Sequence, residues 1–226
     1  MSPKSTSENK ALAARPGLIL IATKNGHKAG ELGVLLSSLG SGTFAVTDLR
    51  DWEAAGGTLD EPEEGAESFV DNAVAKAVYY ARATSLPALA DDSGLSVAAL
   101  NGAPGVLSAR YGGPALDDGG RCDLLLEELD GIQDRRAYFT SILALARPDG
   151  AALHWAGRVE GLISREKRGQ GGFGYDPLFY YPPARLTLAE MSPEKKNSLS
   201  HRARAAEKFK ADGGRVLSFL GLSPSV

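Results

Sequence analysis

The chain has 226 residues, a length for one domain or at most two lobes sharing a core. Its 43% apolar and 23% charged residues sit near the averages of soluble globular proteins and exclude a disordered, collagen-like or disulfide-scaffold chain. With 25 basic against 28 acidic residues there is no overall basic field to draw it to nucleic acid, so any phosphate must be held locally.

Met1 to Pro16 mixes Lys4, Glu8, Lys10 and Arg15 with serines and has no apolar stretch of the kind a secretory signal needs. It is expected to be a flexible tail before a single domain spanning 17–226. No apolar run reaches the roughly 18 residues of a membrane span, so neither a membrane partner nor a location outside the cytoplasm is expected. Leu18 to Thr23 is a continuous apolar run, the pattern of a strand buried on both faces. A polar loop follows, Lys24 to Lys28. Leu32, Leu35, Leu36 and Leu39 then recur at helical spacing up to Gly40.

Thr43 to Thr47 predicts a second strand, and Asp48 to Glu67 an acidic, glycine-rich loop. Ser68 with Asp71 resembles a capping box ahead of an amphipathic helix ending near Thr84. Pro87 to Ala90 predicts a short buried strand that runs into Asp91-Asp92-Ser93-Gly94. Asp117 to Leu129 predicts a helix. Tyr138 to Ala146 and Leu153 to Ile163, separated by Pro148-Asp149-Gly150, predict an antiparallel hairpin. A glycine-rich loop from Gly169 to Gly174 and a helix from about Ser192, with Pro193 at its first position, complete the pattern. The lone Cys122 has no disulfide partner, fits a reducing compartment and is read as a packing residue.

Several segments have the residue types for nucleotide chemistry. Thr23-Lys24-Asn25-Gly26-His27-Lys28 lies between a buried strand and a helix, where backbone N–H groups and the helix dipole favour anions; the same pattern also suits a polar connection with solvated lysines. It lacks the Walker A spacing, which disfavours a P-loop ATPase. Asp91 and Asp92 are adjacent carboxylates of the kind that bind Mg²⁺ together with substrate phosphates, with capping of the next turn as the alternative for one of them. Glu61, Glu63, Glu64 and Glu67 supply further carboxylates, and Asn72 and Lys76 lie one helical turn apart on a single face. Phe173, Gly174, Tyr175 and Asp176 lie in a glycine-rich stretch where a ring can stack on a nucleobase or tuck into the core. Lys195, Lys196, His201 and Arg202 add donors on the following helix.

Six motifs in order give the chain a resemblance to the inosine triphosphate pyrophosphatase family. They are A-T-x-N-x-x-K at Ala22 to Lys28, E-x-F-x-x-N-A-x-x-K-A at Glu67 to Ala77 and A-D-D-S-G-L at Ala90 to Leu95, followed by G-A-P-G-x-x-S-A-R-Y at Gly102 to Tyr111, G-G-F-G-Y-D-P at Gly171 to Pro177 and E-M-S-x-E-x-K-x-x-x-S-H-R at Glu190 to Arg202. The resemblance covers Leu18 to Ala205. It implies an α/β fold with a mixed, elongated central sheet flanked by helices, and two lobes with a nucleotide cleft between them.

It further implies that Thr23, Lys24, Asn25, Gly26, His27 and Lys28 cradle a triphosphate, and that Asp92 is the catalytic acidic residue and Mg²⁺ ligand, with Glu64 and Glu63 completing the metal site. Ser93 and Lys196 are implied substrate contacts, Phe173 to Asp176 the clamp on the base, His201 and Arg202 the readers of the purine edge, and Arg110 a further phosphate contact. Lys24 departs from the family, where many relatives have glycine. The implied reaction is hydrolysis of ITP, dITP or XTP to the monophosphate and pyrophosphate by a cytoplasmic homodimer. A phosphohydrolase releasing terminal phosphate and a catalytically silent nucleotide-binding module are the alternatives.

Overall fold

The computed structural model describes residues 15, 17–37, 44–62, 65 and 67–222. Leu39, Gly40, Thr43, Glu63 and Glu64, and the expected tail apart from Arg15, lie outside the described residues. Seven strands, β1 (Leu18–Ile21), β2 (Ala45–Asp48), β3 (Ala88–Val97), β4 (Arg136–Ala146), β5 (Ala152–Ile163), β6 (Phe179–Tyr181) and β7 (Leu186–Thr187), form one sheet in the order β2-β1-β3-β4-β5-β6-β7. β1 pairs in parallel with both β2 and β3, whereas β6 is antiparallel to β5 and β7. β4 and β5 are joined through a turn in which Arg147 N–H donates to Ala151 O at 2.9 Å. So short a link joins antiparallel neighbours and is far below what a parallel crossover requires. The sheet is therefore mixed, as expected.

The chain divides into two compact units, one of Met1–Asp92, Ile142–Ala156 and Ala205–Val226, the other of Ser93–Ser141 and Gly157–Arg204. In the first, Leu18, Leu20 and Ala22 line up with Ala88 and Ala90 of β3 and Ile142, Ala144 and Ala146 of β4. Together they pack on Ala73, Ala77, Tyr80 and Ala81 of helix α3 (Phe69–Thr84). The alternate residues Ile19, Ile21, Leu89, Leu143 and Leu145 are buried as well. These strands are covered on both faces, which is why their sequences run apolar without alternation.

α1 (Gly26–Ser37) begins inside the expected polar loop. α2 (Leu49–Ala54) occupies part of the stretch expected to be an irregular acidic loop; Asp48 caps it by accepting from the N–H groups of Arg50 and Asp51, both at 2.9 Å, and buried Leu49 and Trp52 anchor it. Ser68 caps α3, accepting from Asp71 N–H at 3.1 Å.

The second unit has its own core. Leu95, Val97, Phe139, Val159, Ile163 and Phe179 cluster with Cys122, Leu125 and Leu129 of α4 (Asp118–Glu128). Asp117 caps α4 through Gly120 N–H at 2.8 Å. Burial pushes the Cys122 thiol up to about 12, so it stays protonated at neutral pH. We expect iodoacetamide to leave native Cys122 unmodified and to alkylate it in urea; rapid alkylation of the native protein, read by mass spectrometry, would contradict its burial.

The helix expected from about Ser192 is two helices, α5 (Pro193–Asn197) and α6 (His201–Ala211), with α7 (Gly213–Leu220) after them. Serine hydroxyls make the break: Ser198 Oγ donates to Lys195 O at 2.8 Å, and Ser200 Oγ accepts from Ala203 N–H at 3.2 Å. Such local side-chain bonds compete with a continuous helix and favour a new start. His201 and Arg202 thereby occupy the first turn of α6. Among the described residues, no helix is long and apolar enough to cross a membrane.

Candidate active site

In the first unit the site residues gather at the end of β1 and on its neighbour β3. Thr23 Oγ1 accepts from Asn25 N–H at 3.2 Å, and Asn25 Oδ1 accepts from the N–H groups of His27 and Lys28 at 3.0 and 3.1 Å. Asn25 is thus the N-cap of α1. The loop is set by its own side chains, and the amides of His27 and Lys28 already have an acceptor. Lys24 Nζ donates to Leu59 O at 2.8 Å and lies 3.9 Å from Glu53, so its charge is partly answered beside α2.

β3 does not stop at Ala90. It continues through Asp91-Asp92-Ser93-Gly94 to Val97, so these residues lie within a strand instead of in a turn beyond one. Because strand side chains alternate, Asp92 extends the Ala88–Ala90 row toward α3, and Asp91 points with Leu89 to the other face. There Asp91 meets Lys28 Nζ at 3.0 Å. Neither aspartate is the turn cap allowed for on sequence alone. Asp91, fully buried, forms an ion pair with Lys28, and Asp92, also buried, lies on the α3 side. α3 brings Asn72 and Lys76, both buried, to the unit as well.

In the second unit the aromatic loop and α5–α6 come together. Asp176 Oδ2 accepts from Phe173 N–H at 2.9 Å and forms an ion pair of 2.5 Å with Lys196 Nζ, both side chains being almost wholly buried. The same Lys196 Nζ lies 4.6 Å from the centroid of the Phe173 ring, and the Arg202 guanidinium carbon 5.8 Å from it. Cations over a ring face are attracted by its quadrupole. Arg202 Nη2 donates to Ser93 Oγ at 3.0 Å, and His201 stacks on Phe139 with centroids 4.7 Å apart and planes at 12°.

Gly172 has φ +74°, and a Cβ there would come within 2.1 Å of Asp176 Oδ2. This glycine therefore gives the Asp176 carboxylate its room. Tyr175 packs in the core, donating from its hydroxyl to Ser108 O at 3.0 Å, with burial pushing its phenol pKa up. Arg110 is exposed at the end of a short 3₁₀ turn.

Comparison with known proteins places this arrangement. The model of the Ham1 family matches residues 19–212. The chain belongs to the Ham1 family. It is 48% identical over 189 residues to the dITP/XTP pyrophosphatase of Thermus thermophilus, covering 83% of this chain and 87% of that one. It is 45% identical over 203 residues to the dITP/XTP pyrophosphatase of Desulfotalea psychrophila, covering 90% and 88%. The HAM1 protein of Coxiella burnetii superposes with a TM-score of 0.77 at 40% identity, covering 89% of this chain and 98% of that one. The resemblance drawn from the six motifs is borne out, as is the mixed α/β sheet of Ham1 proteins.

Three features of this Ham1 chain were not read from its sequence. Phe139, the platform beneath His201, lies in a strand whose apolar residues look alike in sequence. The contacts that α4 makes with the Phe173 loop join residues far apart in the chain. The Ser93–Arg202 bond likewise spans more than a hundred positions, and only the co-occurrence of their motifs hinted at it.

Proposed function

We propose that this protein is a nucleoside triphosphate pyrophosphatase hydrolysing ITP, dITP and XTP to the monophosphate and pyrophosphate. The observation that carries the reading is membership of the Ham1 family with close dITP/XTP pyrophosphatase relatives. The buried Asp92 and the Phe173–Lys196–Arg202 cluster support it chemically. Residues 17–226 act as one catalytic domain, working as a cytoplasmic homodimer on a soluble nucleotide, without nucleic acid or membrane.

The donor set suits Mg²⁺: the buried Asp92 carboxylate offers a hard oxygen, the kind of ligand that ion prefers. Asp92, with Glu63 or Glu64, would hold Mg²⁺, which neutralises charge on triphosphate oxygens. Thr23 to Lys28 bind the phosphates, the α1 N-terminus adding positive potential. The Asp92 carboxylate orients the attacking water and takes its proton, and attack at the α-phosphorus releases pyrophosphate.

Phe173 stacks on the base, with Gly174 and Asp176 shaping the loop and Ser93 and Lys196 contacting substrate. Hypoxanthine and xanthine present a 6-keto acceptor where adenine has a 6-amino donor. Donors of His201 and Arg202 therefore favour the keto base, and a buried donor facing another donor loses its bond. Phe173→Ala should raise KM for ITP by an amount worth roughly 1–3 kcal/mol of stacking; an unchanged KM would assign the ring a packing role.

The deciding experiment is hydrolysis of ITP, XTP, GTP and ATP with and without Mg²⁺, with pyrophosphate and phosphate assayed separately. Mg²⁺-dependent pyrophosphate release from ITP and XTP is expected, with little from ATP, which lacks the 6-keto group, or from GTP, whose base has that group and is to be excluded at its 2-amino position. Phosphate as the product, or indifference to the base, would overturn the assignment.

A further inference from the structure

The loop that bears Phe173 is held from outside by residues to which the reaction assigns no part. Gly174 N–H donates to Asp118 Oδ2 at 2.7 Å, and Gly174 O accepts from Cys122 Sγ at 3.4 Å. Asp118 and Cys122 are four residues apart on α4 and so share one face of that helix. Both backbone polar groups of a single glycine are thus engaged by one helix face.

Arg121, on the next turn, lies 3.7 Å from the other oxygen of Asp118 and helps hold its carboxylate. On the far side of Gly174, Tyr175 is fixed to Ser108 O, and Ser108 Oγ accepts from Leu95 N–H at 2.9 Å and donates to Gly105 O at 2.6 Å. This gives the Gly102 to Tyr111 motif a physical role in bracing the aromatic loop. Gly174 itself has φ +59°. A residue in that conformation is held best when its amide is bonded on both sides.

We propose that Asp118 is a positioning residue for base recognition: by clipping Gly174 to α4 it holds the Phe173 ring against Lys196 and in place for a purine. The inference rests on the proposed function. The Asp118–Gly174 bond is charge-assisted, the stronger kind. Asp118 is well exposed, its side chain 59% accessible, so removing its carboxylate leaves no cavity in the core. An ordered ring binds the base without first losing loop entropy, which is an effect on affinity and not on the bond-breaking step.

The experiment uses Asp118→Ala in the full chain, with two readouts. Amide hydrogen exchange over residues 169–178 reports the clip without reference to any substrate, and steady-state hydrolysis of ITP reports its use. Exchange in that segment is expected to quicken by about tenfold. KM for ITP should rise by about tenfold, with kcat changed by no more than about twofold. Asp118→Asn keeps an oxygen acceptor for Gly174 N–H and should recover both values.

Unchanged exchange would overturn the proposal, and so would faster exchange with an unchanged KM. A matching fall in kcat without recovery by Asp118→Asn, the pattern of general loosening, would overturn it as well. Failure of the wild-type enzyme to release pyrophosphate from ITP would instead overturn the proposed function, and the exchange readout keeps the two failures apart.

Discussion

Asp92→Asn should lower pyrophosphate release from ITP by about 10²–10⁴-fold, the range that a positioned acid or base contributes. Asparagine is nearly the same size, so the buried place beside the Ala88–Ala90 row stays filled. What is lost is the negative charge and the ability to accept a proton. Circular dichroism should therefore still report a folded protein while turnover collapses. Near-normal turnover in the folded variant would remove Asp92 from the chemistry and shift attention to the acidic residues ahead of α3.

The second large effect is on stability. Lys196 and Asp176 form their ion pair with both side chains almost completely buried. Such pairs add little over an apolar replacement of both partners, but removing one partner strands the other. Lys196→Met is accordingly expected to cost about 3–5 kcal/mol in urea unfolding at neutral pH. The stranded Asp176 carboxylate would be desolvated, which raises its pKa above the ordinary value of about 3.9.

A group that binds its proton more tightly in the folded state favours folding as pH falls. The deficit of Lys196→Met should therefore shrink on acidification through the raised pKa and persist above it. Adding Asp176→Asn to the variant should recover much of the loss at neutral pH, since the Asp176 charge that lost its cation is then gone as well. An undiminished deficit in the double variant would mean that Lys196 stabilises the fold through its packing on Phe173 instead.

Much of this architecture was legible because local pattern and tertiary role agree. β1 has an uninterrupted apolar run since both its faces are covered. α3 has its Ser68 cap, and the β4–β5 hairpin has its Pro-Asp-Gly turn. β3 was misjudged where they disagree. Asp-Asp-Ser-Gly has the composition of a turn, and the long-range ion pair with Lys28 is what helps make a buried Asp91 tolerable in mid-strand. α2 was hidden among acidic and glycine residues, although Asp48 ahead of Leu49 and Trp52 is a helix start in hindsight.

The α5–α6 break turns on which way serine hydroxyls face, information absent from composition. β6 and β7, three and two residues long, are too short to show a period. For the candidate site, individual motifs were visible but their pairings were not. Lys24 donates to the carbonyl of Leu59 and Tyr175 to that of Ser108, partners distant in the chain that no motif names.

The unbroken course of β3 also limits how this chain can change in length. Loops absorb insertions readily, but a strand has a period of two, and a one-residue slip exchanges its faces. Deleting a single residue among Ala88, Leu89 and Ala90 would present the carboxylate now matched to Lys28 to the α3 side, and turn the other one toward Lys28. Composition would hardly alter, yet the ion-paired carboxylate and the one proposed for hydrolysis would trade places. Drift at this strand is therefore confined to substitution, and loss of a single codon is as damaging here as loss of the aspartates themselves.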